Sequence, residues 1–498
     1  RPSGPAAQRP SGPAAQRPRG PAAQRPSGPA AQRPSGPAEI PVTGTRPGKR
    51  VIVIGGGPGG LSAAYTLKKR GLAPLLLEAT EQVGGRMGGE RIDGFSTDKA
   101  ADFFPVSYDT TFRLCEELGV PLTNLSMDIG WHRHGRWVVT TPITSLGTLF
   151  RNIGPFRTIG FLSLRGIWPT MKLVWSLKAD ARHLNYASTH RIADLDTDET
   201  YGEYLDRLGV PEPVRVTLEG FLGLTMGNPE EFGATWIRAF LAEVLFKPDK
   251  LYTPEGGCSR LSEALAERLG TAIRVSTPVR RVVIENGRAT GVVTDDGFME
   301  ADAVICSVPA TRALEIMPDL PERIRRALGK VQYSFGIRVV LGLDRRPLPP
   351  GWSAALYPED DTPSLLDRTV NLPECAPPGK SLLDLWVGES RARDLMELDD
   401  EEIARTLLAD AHAKAPPGSA LPQYEDVVFA RVYRWHDAIC KGLPGMFTAM
   451  TRMRQDMTED LQNLRIAGDF MRSPIVNGAI TSGVETANEV ADFLEARS

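Results

Sequence analysis

Residues 50–78 read RVIVIGGGPGGLSAAYTLKKRGLAPLLLE, and their pattern decides the fold. Val51 to Ile54 is the β-branched apolar run of a strand buried on both faces of a parallel sheet. Gly55, Gly57 and Gly60 then supply a GxGxxG turn. The first glycine permits the tight exit from the strand, the second lets backbone approach a pyrophosphate, and the third allows close packing of helix on strand. The helix that follows ends at Gly71, and a second strand, Ala73 to Leu77, closes on Glu78. Free N–H groups and the positive dipole end of that helix favour phosphate. Glu78 lies 23 residues past Gly55, near the spacing of about 20 at which an acid takes ribose hydroxyls. An acid there disfavours a 2′-phosphate, so the stretch predicts a dinucleotide site unsuited to NADP.

The rest of the chain bounds this reading. With 498 residues, 41% hydrophobic and 24% charged, it has globular composition and is too long for one simple domain. Residues 1–38 differ: they repeat RPSGPAAQ with a period of eight and hold six arginines, no acid and no large apolar residue. An extended, polyproline-like arm over residues 1–40 is expected. The chain opens on Arg1 rather than methionine, as a fragment or processed product would. Setting the six tail arginines aside takes the net charge from −3 to −9, so the folded part is acidic and nothing points to nucleic acid. The five cysteines are scattered without a CxxC, which predicts a cytoplasmic protein without a disulfide framework or zinc site. His132 and His134 are the one close histidine pair, with no further ligand nearby in sequence, so no metal site is expected. No apolar run reaches the roughly 20 residues of a spanning helix.

Immediately after Glu78 comes EATEQVGGRMGGERIDGFSTDKAADFF. Its Gly84-Gly85-Arg86 resembles the motif that follows the ribose acid in the superfamily of flavin amine oxidases, protoporphyrinogen oxidases and phytoene desaturases. Two further segments fit the same superfamily in the same order. One runs from Pro254-Glu255-Gly256-Gly257 through a helix and a meander to the strand Ala303–Ser307; the other runs from Leu464 through Gly468-Asp469 to a last helix opened by Gly478-Ala479-Ile480. The resemblance implies non-covalent FAD. It places Gly85 and Arg86 near the pyrophosphate or flavin, the Val279 backbone at the adenine, Gly468 and Asp469 at the ribityl or phosphate end, and Ala479 and Ile480 at the flavin's pyrimidine edge. Asp98 is followed by Ala100-Ala101 where the superfamily more often has glycines.

The resemblance also implies an α/β (α+β) fold. A Rossmann-type FAD-binding domain of the glutathione-reductase type, over 48–130, 245–310 and 445–498, is interleaved with a substrate domain of mixed sheet and helices over 131–244 and 311–444. It implies an FAD-dependent oxidoreductase that takes hydride from a C–H bond of a small, lipophilic or specialised-metabolite substrate to flavin N5. Electrons then pass to oxygen, a quinone or another acceptor. Amine oxidation is the alternative. Against it, Arg338 stands where amine oxidases carry a lysine, and Ile475 and Val476 stand where they carry an aromatic cage residue. Trp435 and His436 resemble a segment of the desaturase and porphyrinogen-oxidase branches, so Arg338, Trp435 and His436 are the expected catalytic positions. A second alternative is a non-catalytic prenyl-binding protein resembling GDP-dissociation inhibitors. Residues 129–179 hold seven bases, no acid and four of the eight tryptophans. That stretch reads either as helices covering a cavity or as a peripheral contact with anionic lipid.

Overall fold

The computed structural model describes residues 49–497 apart from 127, 143–144, 161–166, 181–182, 185–192, 227–230 and 247–250. The arm expected over residues 1–40 lies outside the described residues.

The opening stretch folds as β1 (Arg50–Ile54), α1 (Pro58–Lys69) and β2 (Ala73–Leu77). They belong to a five-stranded parallel sheet in the order Ile273–Arg274, β2, β1, Ala303–Cys306, Leu464–Ile466. Three sequence segments separated by up to four hundred residues thus meet edge to edge. Val53 is level with Leu76 on one side and Ile305 on the other, and all three are fully buried. That double burial is why these strands read as unbroken apolar runs.

α1 packs on the C-terminal helix Val476–Glu495. The crossing depends on small residues: a Cβ at Gly483 would run into the carbonyl oxygen of Gly59, and one at Gly60 into that of Gly55. Behind the sheet, Val279–Glu285, Arg288–Thr294 and Gly297–Glu300 form an antiparallel meander. Its first turn is Asn286-Gly287, both with positive φ (51° and 72°), as a two-residue type I′ hairpin demands.

A second sheet has seven strands in the order Phe429–Trp435, Gly336–Leu343, Ser381–Trp386, Ser364–Asp367, Trp352–Leu356, Asp128–Arg133, Arg136–Thr140. It is antiparallel except where Trp352–Leu356 runs alongside Asp128–Arg133. Ile337, Val339 and Leu341 on one face pack with Ile403 and Leu407 of the helix Asp400–Ala413. Period-2 alternation sends Arg338 and Val340 to the other face. A helical part, including Tyr201–Leu208, Glu212–Met226 and Ala234–Phe246, joins the core of α1 through Tyr201, Tyr204 and Trp236. All five cysteines are buried and free. No helix among the described residues is long and apolar enough to cross a membrane.

Candidate functional site

A cavity of about 730 Å³ opens at the carboxyl ends of the parallel strands, within the roughly 300–1,000 Å³ typical of ligand sites and at the place where open α/β sheets bind their ligands. Gly55, Gly57, Glu78, Gly85, Arg86, Val279, Gly468, Asp469, Ala479, Trp435 and His436 all line it. The sequence assigned these positions from segments far apart, and the fold brings them to one wall.

The glycine turn builds one end. Gly55 has φ +99° and hydrogen-bonds through its N–H to the Leu77 carbonyl at 2.8 Å, locking the exit of β1 to the end of β2. α1 starts after Gly57 with no side-chain cap and no acid in its first turn, so an incoming anion meets neither a competing acceptor nor a repelling charge. Glu78 is held at both oxygens: Oε2 accepts the Gly56 N–H at 2.6 Å, and Oε1 accepts the Thr80 N–H at 2.9 Å and its hydroxyl at 2.8 Å.

Residues 84–88 fold over this turn. The Gly84 N–H bonds the Gly56 carbonyl at 2.7 Å, and positive φ at Gly84 and Gly85 turns the chain so that Arg86 enters the cavity wall. There Arg86 pairs with Asp469 at 2.9 Å and donates to the Ala438 carbonyl at 2.8 Å. Burial is the largest single influence and opposes the Arg86 charge, but Asp469, Tyr333 and Cys440 together hold the guanidinium pKa above its ordinary value. Tyr333 lies under the guanidinium at 5.9 Å, and burial pushes its phenol well up. The Tyr333 hydroxyl accepts the Ala310 N–H at 3.0 Å.

The C-terminal helix starts beside this turn, where a Cβ at Gly59 would meet the Ala479 carbonyl at 3.1 Å. Its first turn also lacks an acid and a side-chain cap. Asn477, fully buried, fastens this helix start to the helix Asp109–Leu118 by accepting from the Thr111 N–H (3.0 Å) and hydroxyl (2.9 Å). Trp435 ends its strand in the cavity and donates from Nε1 to the Lys99 carbonyl at 3.4 Å. His436 follows, its ring 5.7 Å from that of Phe335. Lys99 itself lines the cavity.

Gly60 sits against the Gly55 carbonyl, in the close helix-on-strand packing expected of it. Two expected site residues sit elsewhere. Ile480 is fully buried in the core and does not line the cavity. Arg338, expected beside the reacting carbon, is instead fully buried in a cluster of charges. It pairs with Asp384 and, at 3.1 Å, with Asp102, and its guanidinium lies 4.7 Å from the Trp386 ring centre. Arg368 bridges Asp98 and Asp102 beneath it. Asp98 in turn accepts the N–H groups of Cys258 and Ser259 at 2.9 Å each, holding the start of the helix Ser259–Leu269. Burial pushes Asp384 up to about 6, although both arginines pull the other way. Lys99, Tyr333 and Asn477 had no motif to announce them.

Two helix starts free of acid, a bound carboxylate at Glu78 and a paired arginine make a wall with the donors and acceptors that a flavin dinucleotide needs. A model of the family described as flavin containing amine oxidoreductase matches residues 58–491. The chain belongs to that family. The family's description names a flavin and amine oxidoreduction. Among relatives of this family member, a Mycobacterium tuberculosis protein provisionally described as a flavin-containing monoamine oxidase is 29% identical over 54% of this chain and 60% of its own length. A zeta-carotene-forming phytoene desaturase from Myxococcus xanthus is 26% identical over 60% of this chain and 61% of its own length. The chain thus spans about 60% of the length of these relatives. The crystal structure of a protein from Exiguobacterium sp. 255-15, provisionally described as a protoporphyrinogen oxidase, matches with a TM-score of 0.70 at 21% identity. That match covers 89% of this chain and 98% of the other, and it shows the shared fold.

Proposed function

We propose that the protein is an FAD-dependent oxidoreductase acting on a C–H bond of an apolar small molecule. The observation that carries this reading is the Arg86–Asp469 pair, set in one cavity wall with Glu78 and two uncapped helix starts. When bound, the flavin supplies a two-electron acceptor for hydride from the substrate carbon. Glu78 would accept ribose hydroxyls, and the start of α1 would hold the pyrophosphate. Asp469 orients the Arg86 fork, and the start of the C-terminal helix would offer N–H groups to the anionic edge of the cofactor. Val279 would border the adenine. Trp435 and His436 line the same cavity, where His436 offers a proton acceptor and Trp435 an apolar face. Arg338 acts at one remove: it neutralises Asp384 and Asp102 and so steadies Asp98 behind the cofactor segment.

The seven-stranded sheet and the helical part form the substrate half, over 131–244 and 311–444, and the parallel sheet with the meander forms the cofactor half. Oxygen, a quinone or a carrier protein takes the electrons on. Visible absorbance of the purified protein, with chromatography of the released nucleotide, tests the cofactor. A colourless protein that takes up no FAD refutes the proposal and favours a binding role. Amine oxidation is the second reading, favoured by the family's description. Robust peroxide release with a panel of amines would establish it against the apolar substrate.

A further inference from the structure

Ten large apolar side chains among the described residues are exposed, and eight of them lie on two consecutive helices. On Leu146–Thr158 they are Leu146, Leu149, Phe150 and Ile153, spaced to share one helical face, with Phe150 69% exposed. On Ile167–Asp180 they are Ile167, Trp168, Met171 and Trp175, with both tryptophans 54% exposed and packed edge to face at 5.7 Å. Each helix is also anchored by its other side. Leu173 and Leu177 are buried in the core. Asn152, the one buried side chain of the first helix, bonds both ways with the Thr141 backbone, at 3.0 and 2.8 Å. The first helix therefore turns its polar anchor inward and its apolar face outward, the reverse of an ordinary surface helix.

Charge distinguishes the occupants such a surface could have. Exposed Arg151, Arg157, Lys172 and Lys178 flank the apolar residues, and residues 129–179 contain no acid, in a folded part that is otherwise acidic. A second copy meeting this face symmetrically would bring the same positive charge against it. The N-terminal repeat carries six arginines and no large apolar residue, so it complements neither property. An anionic lipid surface complements both: headgroups take the bases, and tryptophan and aliphatic side chains enter the boundary with the acyl chains.

We infer that these two helices form a peripheral docking surface for an anionic bilayer. The surface stands apart from the cavity chemistry, and vesicle binding is measured without turnover, so failure here leaves the proposed oxidoreductase untouched. The test mixes the purified protein with extruded phosphatidylcholine vesicles, with and without ~30 mol% phosphatidylglycerol. Bound fraction is read by cosedimentation, and insertion by the blue shift of tryptophan emission. Binding is expected on the anionic vesicles only. Neutralising Arg151→Gln and Lys172→Gln together is expected to weaken it by about 30-fold, or about five-fold per charge. A triple variant, Phe150→Ser with Trp168→Ser and Trp175→Ser, is expected to lose cosedimentation with the anionic vesicles while keeping the wild-type circular dichroism melt. Two results overturn the inference: no sedimentation of the wild type with anionic vesicles, or equal sedimentation with neutral ones. A dimer in light scattering that the triple variant abolishes, without vesicle binding, assigns the surface to a second copy.

Discussion

Replacing Arg338 by methionine separates two roles that the sequence could not. The side chain is fully buried, and with Arg368 it faces three carboxylates: Asp98, Asp102 and Asp384. Arg338→Met leaves those three acids against one guanidinium in a medium that solvates charge poorly. Removing one partner of a buried ion pair is worth about 3–5 kcal/mol. The folded unit, Thr45–Ser498, has an unfolding entropy of roughly 1 kcal/mol/K at about 2.1 cal/mol/K per residue. The expected fall in melting midpoint is therefore about 3–5 °C, read by calorimetry or far-ultraviolet circular dichroism. Adding Asp384→Leu removes the orphaned acid along with its partner and is expected to recover more than half of the loss, because apolar replacement of a whole buried pair is close to neutral. A melting midpoint unchanged in Arg338→Met, together with lost flavin reduction by substrate, would refute this reasoning and return Arg338 to the reacting centre.

Other predictions concern the same framework. Asp384 has a folded pKa above its ordinary value, so the native state holds a proton that the unfolded chain has released. Stability contributed by this group is present at low pH and declines as pH rises from about 3.8 through about 6. Asp384→Asn is expected to flatten that slope in denaturant midpoints measured across the window. Asp469→Asn strips Arg86 of its partner and is expected to weaken FAD binding by about 10–100-fold in a fluorescence titration, the worth of one charged hydrogen bond. Gly483→Val drives a side chain into the Gly59 carbonyl and is expected to lower stability by roughly 3 kcal/mol, seen as a lower melting midpoint and reduced soluble yield.

What could be read from the chain depended on how local the signal was. β1, α1 and β2 were legible because a doubly buried strand, a glycine turn and a helix each leave a contiguous pattern. The meander was read as part of the segment that follows Pro254-Glu255-Gly256-Gly257. The Arg86–Asp469 pair was half legible: each residue carried its own motif, but nothing along the chain states that they touch across 383 positions. Arg338 was misplaced for a related reason. Its place was taken from the lysine it replaces, but which of two faces carries an even-numbered residue is set by the helix Asp400–Ala413 packing on the odd ones. Its partner Asp384 lies on a neighbouring strand whose register no local pattern fixes. Lys99, Tyr333 and Asn477 reached the site through tertiary packing alone.

The crossing of α1 with the C-terminal helix has a consequence for biosynthesis. Part of the cavity lining, Gly468, Asp469 and Ala479, comes from the segment after Leu464, while the glycine turn lies more than 400 residues earlier in the chain. Contacts of such long sequence separation form late and slowly. A nascent chain therefore carries an incomplete nucleotide turn until that later segment has been made. Cofactor loading becomes a late event of folding rather than its nucleus, and the proportion of loaded protein reports how many chains have docked that distant segment.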